Sequence, residues 1–204
     1  MLNGLTGGDI VAYLVAIIIS MSIHEAMHAY ASHALGDTTA QEMGRLSLNP
    51  LRHIDPFTTV LLPIMTLILF QVPVLAAKPV PFNPDRVKYD EFGSAIVAAA
   101  GPLSNLLMAV IVAILATHIG FTGFVQDFLV RFVQVNVLLL VFNSLPIPPL
   151  DGSRVLYAFA PEPVQDFMRW IEPYGLFVIF ALVLSGALMP LLVNLNDSIL
   201  QHLP

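Results

Sequence analysis

The hydrophobic positions of this chain form long unbroken runs rather than the short alternating patterns of a soluble fold. The runs without a charged residue are 10–23, 56–77, 92–126, 132–150 and 173–196. Because a helix needs about 20 apolar residues to cross the hydrocarbon of a bilayer, such runs predict membrane-spanning helices. The pattern predicts an all-α polytopic membrane protein with about four full transmembrane helices.

The run at 56–77 differs from the others because Pro63 and Pro73 interrupt it and further prolines follow as far as Pro84. Proline removes a backbone donor and breaks a regular helix. We expect residues 57–83 to be re-entrant, with a helix over about 57–70 and an extended return that neighbouring protein must shelter. Residues 74–82 of that return would offer a strand edge to an extended substrate.

Composition supports a membrane protein, since 57% of the 204 residues are hydrophobic and only 11% are charged. Soluble domains have about 45–50% apolar and about 25% charged residues. We expect one membrane-embedded domain over residues 1–204, with its motifs in about 10–160. The first apolar run lacks the features of a cleaved signal peptide, so we expect it to be retained. The absence of cysteine excludes thiol chemistry, and the net charge of −6 argues against nucleic acid as a partner.

Two histidines and a glutamate follow the first apolar run, in the sequence SIHEAMHAYASHALGD (22–37). Ionisable side chains at membrane depth are costly and rare without a function. His24 and His28 are four residues apart, so on a helix they share one face and can bind one zinc ion. Glu25 would stay off the metal and act as a general base.

The other histidines fit this pattern less well. His33 is turned about 140° away from His28 on a helix, and we interpret it as a helix-end residue. His53, His118 and His202 have no partner in the sequence and are interpreted as loop residues.

Asp151 is the candidate third ligand, because catalytic zinc sites usually have three protein ligands and an open position. It ends the charge-free run 132–150 and follows three closely spaced prolines. Irregular backbone at membrane depth is tolerated where it is buried in protein or lines a cavity. A helix N-cap before Gly152 is the alternative role for Asp151. Taken together with His24 and His28, the ligand role is favoured, with a short helix after Asp151.

These motifs resemble those of the site-2 proteases, which are intramembrane zinc metalloproteases. The resemblance is carried by HExxH, by GPLSN (101–105) and by NSLPIPPLDG (143–152). The stretches GRLSLNPLRHIDP (44–56) and AKPVPFNP (77–84) resemble the compact bacterial and archaeal branch without a PDZ domain. The resemblance covers about residues 10–160.

The resemblance implies a role for each matching residue. His24, His28 and Asp151 would hold one zinc ion, and Glu25 would be the catalytic base. Asn105 and Asn143 would lie near the scissile carbonyl, where a side-chain amide can stabilise an oxyanion. Interhelical hydrogen bonding is the alternative for each asparagine.

The three metal ligands must lie at one depth, which constrains the topology. If 56–77 and 92–117 both crossed the membrane, Asp151 would lie about 15–20 Å from the histidines. The re-entrant interpretation removes this conflict. It places seven of the eight Lys and Arg residues on one side of the membrane and only Arg131 on the other. Because basic loops are cytoplasmic, we expect loops 37–55 and 84–91 to be cytoplasmic, with both termini outside a prokaryotic cell membrane. The active site would then lie toward the cytoplasm.

The predicted function is an intramembrane zinc endopeptidase that cleaves a transmembrane protein or peptide within the lipid bilayer. A multispan metal or proton transporter could use the same buried His, Glu and Asp side chains. Transport does not require a non-ligand glutamate in the HExxH order. An inactive scaffold that binds membrane helices is a third interpretation, but Glu25 and every predicted ligand are retained.

Overall fold

The computed structural model describes residues 7–52 and 80–204, and its regular elements are helices. The α-helices are α1 (Gly7–Ala34), α2 (Thr39–Glu42), α3 (Asp90–Ile119), α4 (Phe124–Asn143), α5 (Asp151–Phe159), α6 (Glu162–Ile171), α7 (Gly175–Leu184) and α8 (Leu188–Leu200). Within these ranges no β-strand is present, and single 3-10 turns occupy Pro50–Arg52, Pro84–Arg86 and Glu172–Tyr174. The predicted all-α class is confirmed.

Four segments are long and apolar enough to cross a membrane: α1, α3, α4 and Glu162–Leu184, which combines α6 and α7. This agrees with the predicted number of spans, and α5 is the short helix expected after Asp151. The interpretation of 173–196 as one span was wrong. A turn at residues 185–187 separates α7 from α8, and Gly186 supplies the left-handed backbone with φ +72°. The fourth span instead begins at Glu162.

Helix α1 packs through small side chains and exposes large apolar ones. Its buried face includes a stripe with a spacing of four residues, formed by Ala12, Ala16, Ser20, His24, His28 and Ser32. Ile10, Leu14 and Ile18 are exposed, as expected for side chains that face lipid. Small residues let membrane helices approach closely. His24 and His28 therefore continue the stripe that faces the neighbouring helices.

The end of α1 and the start of α3 are joined at one end of the bundle. The Lys88 backbone N–H donates to the Leu35 carbonyl at 2.9 Å, and the Asn83 N–H donates to the Asp37 carboxylate at 2.8 Å. Thus the segments around residues 37 and 88 lie at the same end of the bundle, as the argument from metal geometry requires, and the side of the membrane that this end faces stays a prediction. Residues 53–79 are outside the described part of the chain, and so is most of the predicted re-entrant segment 57–83 and of the edge 74–82.

Helix α4 returns the chain to the end of the bundle where α1 and α3 meet. It runs antiparallel to α3 after a turn in which Gly120 and Gly123 have φ values of +69° and +63°. At the opposite end, the Arg131 guanidinium pairs with Asp9 and lies over the Tyr13 ring. Helices α7 and α8 pack against α3 and α4 through an apolar cluster that includes Ala113, Val137, Ile179 and Leu188.

The fully buried Asp37 carboxylate connects these segments and generates a prediction about pH. Burial raises its pKa, but hydrogen bonds from Thr39 and from the Asn83 backbone outweigh burial and hold the pKa below its usual range. The stabilisation is therefore fully present above the unfolded pKa of about 3.9 and is lost as pH falls through the lower native pKa.

We expect Asp37→Asn to reduce stability by about 1.5–3 kcal/mol at pH 7, the usual value of a hydrogen bond to a charged group. Thermal unfolding in detergent at pH 7, 5 and 3 should show the difference from wild type shrinking below about pH 4. Asp85→Asn, which removes a charge from an exposed neighbouring side chain, is the control. A deficit that is equal at pH 3 and pH 7 would contradict this role.

The topology gives a second prediction. In this cysteine-free chain, exposed positions Gln41 and Glu91 belong to the segments that meet at one end, whereas Thr122 lies in the turn at the other. Single cysteines at Gln41 and Glu91 should react with an impermeant thiol reagent from the same side, which the distribution of basic residues predicts to be cytoplasmic. A cysteine at Thr122 should react from the opposite side. Labelling of Gln41 and Glu91 from different sides would contradict the shared end.

Candidate metal centre

His24 and His28 lie one turn apart on α1 and face the interior of the bundle. The two residues are only 6% and 8% exposed to solvent. The ring centroids are 4.7 Å apart and the ring planes meet at 85°. The helix therefore presents both imidazoles to one buried point, as their spacing predicts.

Asp151 reaches this point as the first residue of α5. The chain leaves α4 at Asn143, and Gly152 packs directly on the backbone where α4 ends. A Cβ atom at Gly152 would lie 2.2 Å from the Ser144 carbonyl oxygen, so only glycine allows this approach. Leu150 is the N-cap of α5 and has no side-chain cap bond. The Asp151 carboxylate faces the imidazoles instead of capping the helix.

The distances among these three side chains fit a zinc ion. The Asp151 Oδ2 atom is 3.1 Å from His24 Nε2 and 3.4 Å from His28 Nε2. All three candidate ligand atoms lie within 4.8 Å of one another. Two ligands at about 2.0–2.1 Å from a tetrahedral zinc ion are about 3.3–3.4 Å apart, so the two distances from Asp151 are close to those between ligands of one zinc ion.

The other ring nitrogens are held by acceptors. His28 Nδ1 is 2.8 Å from the Val97 carbonyl oxygen, and His24 Nδ1 is 2.6 Å from the Asn105 side-chain oxygen. A carbonyl oxygen can only accept, so Nδ1 of His28 carries a proton, and in the neutral ring the lone pair is then on Nε2. Outer partners of this kind orient metal-binding histidines. An Nε2 lone pair that faces a carboxylate needs a cation between them, and either a proton on Nε2 or a metal ion supplies one.

Gly101 of α3 forms the wall of the site opposite the imidazoles. A Cβ atom there would lie 2.5 Å from His28 Nε2 and 2.6 Å from His24 Nε2. Real Cβ atoms essentially never approach so closely. The GPLSN motif therefore includes a glycine because any larger residue would occupy the space in front of the ligating nitrogens.

Glu25 follows His24 in the sequence, but its carboxylate is not among the three candidate ligand groups that converge. Its Oε2 atom accepts a hydrogen bond from the Val80 backbone N–H at 2.8 Å. Val80 is buried and belongs to residues 80–82, the part of the predicted strand edge that the structure describes. The segment after residue 79 therefore contacts the predicted catalytic base.

The structure places the two predicted asparagines differently. Asn105 is fully buried, with its oxygen toward His24 and its amide nitrogen donating to the Asn136 oxygen at 2.9 Å. This is the interhelical hydrogen bonding named as its alternative. It uses one of the two N–H donors of the amide, so a role for Asn105 at the scissile carbonyl stays a prediction. Asn143 donates to the Leu139 carbonyl of its own helix at 3.0 Å. A role for Asn143 at the scissile carbonyl stays a prediction.

Among the other histidines, His33 lies exposed in the last turn of α1, which confirms the helix-end interpretation. His202 follows α8 in a turn, as expected for a loop residue. The same interpretation was wrong for His118. The apolar run continues α3 to Ile119, so His118 lies in its last turn, with Nδ1 2.9 Å from the Ile114 carbonyl oxygen. His53 lies outside the described residues.

Sequence reasoning missed Asn136, a fully buried amide in the middle of α4. The available signal was an asparagine inside a charge-free run, since polar side chains at membrane depth need partners. It also gave no role to Gly101, because the contact with both imidazoles exists only in the folded bundle.

The chain is similar to curated proteins whose names state a common activity. It is 36% identical to the "Putative zinc metalloprotease YwhC" of Bacillus subtilis over 95% of this chain and 91% of that protein. It is 26% identical to the "Putative zinc metalloprotease Rip2" of Mycolicibacterium smegmatis over 89% of this chain and 70% of that protein. The chain belongs to this family of zinc metalloproteases. A third relative, the "Putative zinc metalloprotease MJ0611" of Methanocaldococcus jannaschii, is 29% identical over 51% of this chain and 56% of its own length.

No protein-family model and no solved structure matches the chain. The family assignment is therefore carried by the curated relatives. It agrees with the buried cluster of two histidines and one aspartate, because that set of ligands is one that zinc enzymes use.

Gly101 provides a prediction for this metal centre. Gly101→Ala should reduce metal affinity at least about tenfold, since a methyl group would push apart the imidazoles that must converge. Zinc per chain after dialysis against a metal buffer measures this, with circular dichroism to verify folding. Gly7→Ala is the matched control, because a Cβ atom there has nothing within 4 Å. Unchanged zinc affinity in Gly101→Ala would show that the metal does not bind at these nitrogens.

Proposed function

We propose that this chain is an intramembrane zinc endopeptidase of the site-2 protease type, which cleaves transmembrane segments of membrane proteins. The proposal is supported chiefly by one observation: two imidazoles and a carboxylate converge inside a bundle of helices that are apolar enough to span a membrane. A peptidase that acts on soluble proteins would not need its ligands within such helices.

His24, His28 and Asp151 would hold one zinc ion through two Nε2 atoms and one carboxylate oxygen. When bound, zinc supplies Lewis acidity, which lowers the pKa of a water molecule and polarises a carbonyl. Gly101 keeps the space in front of both imidazoles free of side-chain atoms.

Glu25 would be the general base. Its carboxylate can accept a proton from the attacking water and then donate that proton to the leaving amide nitrogen. The Val80 N–H engages Oε2 and restrains the carboxylate beside the ligand set, which leaves the other oxygen for the proton.

The position of the site supports a substrate within the membrane. His24 lies ten residues before the end of α1, which places it about 15 Å along the helix axis from that end. Peptide bonds in a helical substrate are protected by internal hydrogen bonds, so the substrate must be extended locally before it is cut. Residues 74–82 are the proposed edge for that extended segment, and the bundle end that carries residues 37 and 88 is proposed to be cytoplasmic.

The test combines metal content with cleavage. Glu25→Gln should retain zinc and lose about 10²–10⁴-fold of its turnover on a transmembrane peptide in liposomes, since only the base is removed. Asp151→Asn should lose zinc as well as activity. Glu91→Gln, at an exposed carboxylate of α3, is the control for loss of charge and should resemble wild type.

Two outcomes would contradict the proposal. Cleavage of soluble casein in preference to the membrane peptide would indicate an ordinary metalloprotease. Zinc or proton flux into proteoliposomes without peptide cleavage would indicate the transporter instead.

A further inference from the structure

A chain of buried hydrogen bonds connects three helices behind His24. Asn136 of α4 donates to the Ser20 hydroxyl of α1 at 2.8 Å and accepts from the Asn105 amide of α3 at 2.9 Å. The Asn105 oxygen in turn lies 2.6 Å from His24 Nδ1. Ser20, Asn105 and Asn136 are all 0% exposed, so water cannot replace any of these contacts.

The direction of this chain is fixed at one end by a main-chain group. Amide orientation and histidine tautomers are ordinarily ambiguous, because oxygen and nitrogen look alike. Here Asn136 also lies 2.8 Å from the Phe132 carbonyl oxygen, which can only accept. The Asn136 atom at that position must therefore be nitrogen, and its oxygen must face Asn105.

The rest of the chain follows from this one assignment. Because the Asn136 oxygen accepts, Asn105 must present its amide nitrogen to α4 and its oxygen to His24. An oxygen acceptor requires a proton on His24 Nδ1. In the neutral ring the lone pair is then on Nε2, the nitrogen that lies 3.1 Å from Asp151 Oδ2 and faces the proposed metal site.

We propose that Asn136 is a positioning residue for the metal centre: through Asn105 it fixes the Nδ1–H tautomer and the orientation of His24. This rests on the proposed zinc site. The two ligating histidines differ in this respect. His28 is fixed by the Val97 carbonyl, which no side-chain substitution removes, whereas His24 depends on two side chains.

The first test reads the tautomer without any substitution in the chain of hydrogen bonds. In full-length, metal-free protein labelled with ¹⁵N-histidine, NMR shifts distinguish Nδ1–H from Nε2–H imidazoles. A His24→Asn variant identifies the His24 signals. We expect a proton on His24 Nδ1, with or without a second proton on Nε2 toward Asp151. An Nε2–H tautomer in wild type would overturn the proposal, whatever the variants do.

The second test removes the acceptor. Asn136→Leu should weaken zinc binding about 10–100-fold, the usual effect of losing an outer partner of a metal-binding histidine. Asn105 is then free to turn, and the ¹⁵N signals should show a mixture of His24 tautomers. Ser20→Ala is the matched control. It removes one partner of Asn136 but leaves the Phe132 carbonyl, so zinc affinity and tautomer should stay as in wild type.

A rescue separates positioning from simple loss of packing. In the double variant Asn105→Asp with Asn136→Leu, an ionised carboxylate faces His24 and cannot turn into a donor. Zinc affinity and the Nδ1–H tautomer should therefore recover relative to Asn136→Leu alone. A double variant as weak as Asn136→Leu would show that Asn136 acts only through packing.

The outcomes separate this inference from the proposed function. A wild-type protein that binds no zinc would refute the proposed function itself. A wild-type protein that binds zinc, together with an Asn136→Leu variant of unchanged zinc affinity and unchanged His24 tautomer, would refute only the positioning role.

Discussion

The structure depends on one constraint: three polar ligand atoms must meet at one depth inside an apolar bundle. His24 lies ten residues from the end of α1, and Gly101 lies eleven residues from the start of α3. At a rise of 1.5 Å per residue these positions are about 15 and 16 Å from their helix ends, so they are level when those ends meet. The hydrogen bond between Lys88 and Leu35 joins the two ends. Helix α4 then returns Asp151 to the same level.

The same constraint explains which residues face inward. The ligands can meet only if the helix axes come close, and the buried stripe of α1 consists of alanine, serine and the two histidines. Gly101 and Gly152 lie at especially close approaches. A single added carbon would collide with the imidazoles at Gly101 or with the Ser144 carbonyl at Gly152. Large apolar side chains are left for the outer surface, which is the reverse of a soluble helix bundle.

Local spacing was enough to predict that His24 and His28 share one helix face, because zinc chemistry restricts residue types and intervals along a chain. The structure brings Asp151 to the same point, whereas the ligand roles and the role of Glu25 as base stay predictions. The need for the metal ligands to lie at one depth, together with the positions of the basic residues, was enough to predict that the end of α1 lies beside the start of α3. The turn at Ser185–Ala187 was not predicted, since hydropathy does not record where an apolar run bends. The contacts of Asn136 were missed for a related reason. Its partners lie 31 and 116 residues away in sequence, and no periodic pattern connects them.

Some of the proposed metal-binding and catalytic residues are held by main-chain groups and others by side chains. The sequence around each residue determines which kind of group holds it. Val97 offers its carbonyl to His28, and Val80 offers its N–H to Glu25. Val80 stands between Pro79 and Pro81, which have no N–H, so within this triplet the donor for Glu25 can come only from Val80. Substitution of the side chain at Val80 leaves that donor in place. His24 Nδ1 is instead held by the side-chain amide of Asn105. Among residues that hold the ligands from behind, we therefore expect substitutions on α3 and α4 to weaken metal binding most.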